Sequence, residues 1–537
     1  MNTRSNTRKA TKRQSQQASS KPPVKKTAVK AARPVAGRRP VSKKTPVKQK
    51  AAATKKISAK KKVSIKKTAP VKRGAAANKR VSRPKQTAPA TRKVPFSKSA
   101  QKKTVTTRPT GALSMPVMAS GEFAFGTTTV EKESSRKGWF RRFFGVTRRK
   151  PRLLWIGDAL VPTGFATVTH SMLNHLHDDW EVVVSGVNYD GSAHHLPYRV
   201  MPAWQGGDMW GMNRFADLCA EFDPAAVVIN NDWWNVAQFA KIAPKGIPII
   251  GYMPVDGGNL DPVAMRELNK LHAAVWYTNY GHREAAKAGF KGKRHVISHG
   301  IDTAVFQPMN RKEARHLLDL NVPRNAFIVG NLNRNQPRKR LDLSIHIFAD
   351  WIKQHRVANA FLLLHCAQKD TGWDLHRVAA FHGIADRLLL TGCEDIRGLQ
   401  SPRHLQRIYN SLDVQMTTTL GEGWGLTTME GMACGIPQIV PDSSALAEWA
   451  VPAVKIPCSR LLINPEINTA GALVDHAPFV AALQLLYTDK PLRAKLSAQG
   501  IVHVRRGEFD WRNIAEQFHA ILAPVVGKKS AKRTQHA

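Results

Sequence analysis

The stretch VQMTTTLGEGWGLTTMEGMACGIPQIV (414–440) decides the fold. VQMTT (414–418) reads as a buried strand, Leu420 to Trp424 as the loop leaving its carboxyl end, and LTTMEGMAC as a helix with Leu426, Met429 and Ala433 on its inner face. IPQIV (436–440) is the next strand. Gly423 and Gly425 let the backbone pass close to a ligand. The first amides of the helix, from Gly425 through Leu426 to Thr427, are unpaired donors at the positive end of the helix dipole, a setting suited to a diphosphate. Glu422 falls in the loop beside such a group. Glu430 lies further along the helix, where a carboxylate matches the spacing of two vicinal ribose hydroxyls.

Working outward, the same strand–helix alternation fills the ordered part of the chain. RLLWIGDAL (152–160) is an apolar strand ending in a small-residue turn before the helical VPTGFATVTHSMLNHL, and EVVVSGV (181–187), AAVVIN (225–230), IPIIGYM (247–253) and AAVWYT (273–278) follow as strands. A second series runs through AFIVGNLN (326–333), AFLLLHC (360–366), RLLLTG (387–392), VQMTT and IPQIV. Such alternation implies parallel sheets with helices on both faces. The expectation is an α/β chain of two doubly wound, Rossmann-like domains, 151–308 and 309–505, facing a cleft, followed by a helix at 506–525 and a basic tail at 526–537. Ligands then bind beyond the carboxyl ends of the strands, between the halves.

Ahead of these lies a segment of another kind. Residues 1–150 hold 43 Lys and Arg against three acids, whereas the other 387 residues hold 40 against 35, so nearly all of the net charge of +45 belongs to the first segment. The first aromatic is Phe96, and KKTAVK (25–30), KKTPVK (43–48) and KKTAPVK (66–72) form a loose repeat. With so little apolar surface the segment is expected to be a disordered polybasic arm, compositionally similar to the tails of linker histones. Its 35 positive charges in residues 1–110 suit a polyanion. Nucleic acid, an anionic membrane or acidic glycan, and a targeting or solubilising role are the alternatives. The arm ends in GWFRRFFGVTRRK (138–150), either an interfacial membrane contact or a short helix docking its aromatics on the following domain. The five cysteines show no CxxC spacing, so no zinc site or disulfide framework is expected from them. No apolar run is long enough to span a bilayer and no secretory signal is read. The expected location is cytoplasmic, or associated with a nucleoid or virus.

EGWGLTTMEGMACGIP (422–437) resembles the E-G-F-G-L-x-x-x-E-A-M-A-x-G-x-P signature of the retaining group 1 (family 4) glycosyltransferases, of GT-B fold, departing from it by Trp424 for Phe and Gly431 for Ala. GNLNRNQPRKRLDL (330–343) is similar to the family's basic loop, VISHGIDTAVFQP (296–308) to its interdomain stretch and FDWRNIAEQFHAIL (509–522) to its closing helix. The resemblance implies a nucleotide-diphosphate sugar donor, its phosphates held by Arg334 and Lys339, the donor sugar contacted by Glu422 and the ribose by Glu430. It implies transfer with retention. Arg334, Lys339 and the helix amides suffice to stabilise a departing dianion. No DxD pair is present, and neither a metal nor another cofactor is expected. Gly164, in PTGFAT, stands where the family's N-terminal glycine-rich loop approaches donor and acceptor.

The first half departs further from the family. Many relatives carry a histidine where GYMPVDGG (251–258) offers Asp256, which either orients or deprotonates an acceptor hydroxyl or caps a turn. Trp233 and Trp234, in NNDWWN (230–235), either stack on a sugar or base or pack beneath the cleft, while His299, His365 and Cys366 read as structural. The expected activity is sugar transfer to an acceptor hydroxyl, with hydroxylated bases in DNA as the leading acceptor. The alternatives are an envelope-glycan transferase at a membrane and a chromatin-like or virion nucleic-acid-binding protein with a degenerate transferase fold.

Overall fold

The computed structural model describes residues 149–394 and 401–534, with side chains to residue 526. The polybasic arm of 1–110 and nearly all of the aromatic segment at 138–150 lie outside the described residues.

The first half is a seven-stranded parallel sheet of β1 (Arg152–Asp158), β2 (Glu181–Val187), β3 (Arg199–Pro202), β4 (Ala226–Asn230), β5 (Ile249–Met253), β6 (Ala273–Trp276) and β7 (His295–Val296), in the order β3-β2-β1-β4-β5-β6-β7. The second half holds β8 (Phe327–Asn331), β9 (Ala360–Leu364), β10 (Leu388–Leu390), β11 (Val414–Met416), β12 (Gln438–Pro441) and β13 (Val454–Ile456), in the order β10-β9-β8-β11-β12-β13. Both sheets start at an inner strand and wind outward in two directions. The strand order therefore reverses beside β1 in one half and beside β8 in the other, and at such a point the loops diverge and leave a crevice. The central strands are runs of Val, Ile and Leu because helices cover both faces; Leu153, Leu154, Trp155, Val227, Val228, Ile229, Leu362, Leu363 and Leu364 are all fully buried.

Two features shape the boundary between the halves. The last helix, Trp511–Thr534, crosses back to the first half and lies along Gly164–Leu176. Its Phe518 is fully buried against Trp155 and Tyr252, a side-chain burial worth about 1.5–3 kcal/mol. The helix continues past residue 526 to Thr534, through most of the segment that the sequence suggests is a basic tail. The second feature is an antiparallel hairpin of β14 (Arg460–Ile463) and β15 (Ala470–Leu473). It reaches across to the first half, where Gly258 and Ala470 exchange two backbone hydrogen bonds of 2.9 Å and Asn259 Nδ2 donates to Asn468 O at 2.7 Å.

Candidate active site

The carboxyl ends of β8 and β11 carry the loops that face the first half. After β8 the chain turns through a short 3₁₀ segment, Pro337–Lys339, and Arg340 takes a left-handed conformation (φ 51°) before the helix Leu341–Gln354. This turn aims Lys339 inward. Its Nζ lies 2.6 and 2.7 Å from the two oxygens of Glu422, and both residues are buried. Arg338 completes the group. Its guanidinium lies 3.5 Å from Glu422 Oε2 and 3.0 Å from Asp256 Oδ2, and it also donates to the Gly421 carbonyl. One side chain thus joins the carboxylate of the second half to that of the first. Burial works to raise the Glu422 carboxyl, but Lys339 and Arg338 together outweigh it and hold the group below the ordinary carboxylate range. Burial pulls the Lys339 ammonium down to about 8, against the attraction of Glu422. The pair is ionised at neutral pH.

The helix Leu426–Ala433 begins at Gly425, whose φ of 96° is reached without strain only by glycine. No side chain caps it, so the dipole's positive end and the amides that follow Gly425 face the crevice unmasked by a capping oxygen. Leu426 is partly buried and lies against the first half: a Cβ placed on Gly164 would meet its Cδ1 at 3.4 Å. Glu430 is buried one turn further on, where it accepts a hydrogen bond from the Tyr409 hydroxyl at 2.6 Å. Burial pushes its carboxyl up to about 7, with the Tyr409 bond opposing.

The first half contributes an acidic rim. Asp158, at the end of β1, accepts from Thr163 Oγ1 at 2.6 Å and Asn188 Nδ2 at 3.2 Å. Burial raises its carboxyl in spite of those bonds and of the charge of Arg334. Asp232 precedes the helix Trp233–Lys241 but does not cap it. Burial and the carboxylates of Asp256 and Asp158 push it up to about 7, against Arg338. Sequence reasoning passed over Asp158, Asp232 and the inward turn of Arg338. Asp232 was visible only as part of NNDWWN, and Arg338 as one of three neighbouring cations.

Several expected residues take positions that differ from the simplest reading. Arg334 forms a two-point ion pair with Asp370, at 2.9 and 3.1 Å, and its charge reaches across to Asp158. Gly423 does not face open space for a ligand: a Cβ there would overlap Pro254 of the first half, and one on Gly421 would overlap the Asp256 carbonyl. These two glycines let the halves close. Trp233 packs in the core, edge-on to Trp234 at 5.2 Å, and Trp234 lines a cavity of about 440 Å³ beside Asn259 and Asn468. His299 is caged by Tyr252, Tyr277, Trp424 and Trp511, and burial lowers it to about 3. His365 ends near Thr391 Oγ1 at 3.1 Å, and burial lowers it to about 4, while Cys366 is buried.

The two departures from the signature have local physical causes. A Cβ on Gly431 would overlap the Gln415 side chain and press on Gln438, so glycine makes room for a buried amide pair whose members are 3.2 Å apart. Trp424 stacks on Trp449 at 5.1 Å with an interplanar angle of 11°. A phenylalanine would cover less of that indole face.

With this geometry in place, comparison with known proteins is direct. Residues 323–489 match the family described as Glycosyl transferases group 1. The chain is 25% identical to the D-inositol 3-phosphate glycosyltransferase of Acidothermus cellulolyticus over 336 residues, covering 57% of this chain and 69% of that one. It is 29% identical to the corresponding protein of Stackebrandtia nassauensis, covering 44% and 49%. With the lipopolysaccharide core biosynthesis mannosyltransferase LpsB of Rhizobium meliloti the identity is 28%, covering 43% and 61%. The chain therefore spans between about half and two thirds of the length of these curated relatives. Among solved structures, sucrose-phosphate synthase from Thermosynechococcus elongatus superposes with a TM-score of 0.57 at 17% identity, covering 71% of this chain and all of the other. HepE of Anabaena, solved in complex with UDP and glucose, gives 0.54 at 16%, covering 70% and 100%. These likenesses show the two-domain GT-B-like fold.

Proposed function

We propose that this protein, whose residues 323–489 match the group 1 glycosyltransferase family within a GT-B-like fold, transfers a sugar from a nucleoside-diphosphate sugar to an acceptor hydroxyl with retention and without a metal. The observation that carries this reading is the buried Lys339–Glu422 pair beside the uncapped start of the helix Leu426–Ala433, with Glu430 further along the same helix. As the donor's glycosidic bond breaks, negative charge grows on the departing diphosphate. Lys339 and Arg334 supply positive charge, and the helix amides supply hydrogen-bond donors, to stabilise it. Glu422, held ionised by Lys339 and Arg338, accepts hydroxyls of the donor sugar and fixes its orientation. Glu430 accepts the ribose hydroxyls. On the other wall, Asp256 orients the acceptor, and Asp232, poised near neutrality, takes its proton. Uridine diphosphate sugars are the first donors to try, since HepE was solved with UDP and glucose.

The charge of residues 1–110 supports a further assignment: the arm concentrates the enzyme on a polyanion, with DNA bearing hydroxylated bases as the leading acceptor. The test is a panel of UDP-, GDP- and ADP-sugars with and without hydroxymethylated duplex, scoring free nucleotide and sugar-labelled polymer. Nucleotide release is expected with one donor, and label on the duplex. Release without label removes DNA as acceptor and keeps the transferase; no release from any donor overturns the reading.

A further inference from the structure

On the outer layer of the second half, away from the loops that form the cleft, three metal-ligating side chains converge. His346 and Asp350 are one turn apart on the helix Leu341–Gln354, so both project from one face. His476 opens the helix His476–Thr488, which packs against that helix. His346 Nε2 lies 3.3 Å and His476 Nε2 2.8 Å from the same oxygen, Asp350 Oδ2, and the three atoms all fall within 4.8 Å of one another. Ligand atoms bound to a tetrahedral zinc ion at its usual bond lengths sit about 3.3–3.5 Å apart. The His346 separation is already that of a coordination shell, while the His476 contact is a hydrogen bond that has to open by about 0.5 Å. The remaining sides of the cluster are also favourable. The ring of His382 stacks on His346 at 4.6 Å with an interplanar angle of 21° and restrains its orientation. The side chains are 45%, 35% and 29% exposed for His346, Asp350 and His476, which leaves room for an ion to enter and for a water in a fourth position.

We propose that His346, Asp350 and His476 form a binding site for a divalent late transition metal of the zinc type, clipping the two helices together. The donor set of two imidazoles and one carboxylate suits zinc or cobalt and disfavours magnesium or calcium, which seek oxygen shells. Binding requires each imidazole to present Nε2 as a lone pair and to carry its proton on Nδ1, so neutral rings release no proton. The site shares no residue with the cleft. Its existence and the transfer chemistry are separable.

The test uses tag-free, full-length protein stripped with a chelator and titrated with cobalt(II), then zinc. One equivalent of cobalt is expected to raise a visible absorption band typical of a low-coordinate nitrogen and oxygen site, and zinc to abolish it. His476→Ala and His346→Ala should each weaken cobalt binding at least tenfold and lose the band, while nucleotide release stays at the wild-type level. Asp350→Asn keeps a hydrogen-bond acceptor for the rings and so preserves the fold; it too should weaken binding. Absence of the band in the wild type, or its persistence at unchanged affinity in Asp350→Asn and the histidine variants, overturns the site.

Discussion

Lys339 and Glu422 form one buried pair on which both stability and the proposed chemistry bear. Each is desolvated and lies 2.6 Å from the other, and Arg338 gives Glu422 a second, more distant cation. Removing Lys339 leaves Glu422 only the Arg338 guanidinium at 3.5 Å, so Lys339→Met should destabilise the fold by up to about 3 kcal/mol, read as a fall in the urea midpoint. The double variant Lys339→Met with Glu422→Gln should recover most of that loss and none of the nucleotide release; recovery of release would remove Lys339 from the donor site. Glu430 makes the complementary case through pH. Its folded-state value of about 7 lies above the ordinary 4.5, so the folded protein holds this proton more tightly than the unfolded chain does. Stability therefore falls as pH rises from about 4.5 to 7 and is level above that, a cost on the order of 3 kcal/mol at 1.36 kcal/mol per unit. Glu430→Gln, which can still accept from Tyr409, should be more stable than wild type at pH 8 and equal to it near pH 4.5 by thermal melts. Its donor affinity should be weaker and flat with pH, whereas wild-type affinity should improve as pH rises through neutrality and the carboxylate ionises.

At the scale of elements, the loop after β11 works by what it lacks. Gly421 and Gly423 pass so close to Asp256 and Pro254 that a methyl group at either position would force the halves apart. Gly421→Ala should leave donor binding, which we assign to residues of the second half, within about threefold of wild type. It should lower transfer at least tenfold, because the acceptor wall cannot close. Calorimetric donor titration beside single-turnover transfer separates the two; equal loss in both would make the glycine a folding requirement instead. The strand and helix that flank this loop are legible in sequence because each carries a plain periodic signal. VQM and QIVP are buried runs between helices, and LTTMEGMA follows a glycine stop. The destination of the glycines is not legible, since a close approach reads the same whether the neighbour is a ligand or another chain segment. Arg338 was hidden for a similar reason. PRKR offers three cations in a row, and only the 3₁₀ turn at Pro337–Lys339 and the left-handed Arg340 decide which of them point inward. The hairpin of β14 and β15 escaped notice because little of it faces a core: Leu461 and Ile463 are exposed and only Ala472 is buried, and its contact with the first half includes the backbone pairing of Gly258 and Ala470.

For the whole molecule, charge is divided in a way that the fold does not require. Residues 151–537 contain enough apolar sequence for two wound halves and carry nearly balanced charge, while the net positive charge sits in residues 1–150. A tethering role for the arm predicts separable behaviour. Full-length protein should bind duplex DNA with an affinity that falls about 10³–10⁵-fold between 50 and 200 mM salt if about 6–10 phosphates are neutralised. Protein lacking residues 1–110 should lose most of that affinity and most of the salt slope. Because the residues proposed to hold the donor, Arg334, Lys339, Glu422 and Glu430, all lie in the second half, nucleotide release from the donor alone should be the same for both proteins. Transfer to a hydroxylated duplex at low polymer concentration should fall at least tenfold on truncation and approach the full-length rate as polymer concentration rises, since the arm acts on encounter and not on the chemical step. Fluorescence anisotropy across a salt series, paired with transfer rates across a polymer series, reads both quantities. An unchanged salt slope would assign the positive charge to some other partner, and a transfer defect that persists at saturating polymer would place the arm within the catalytic cycle.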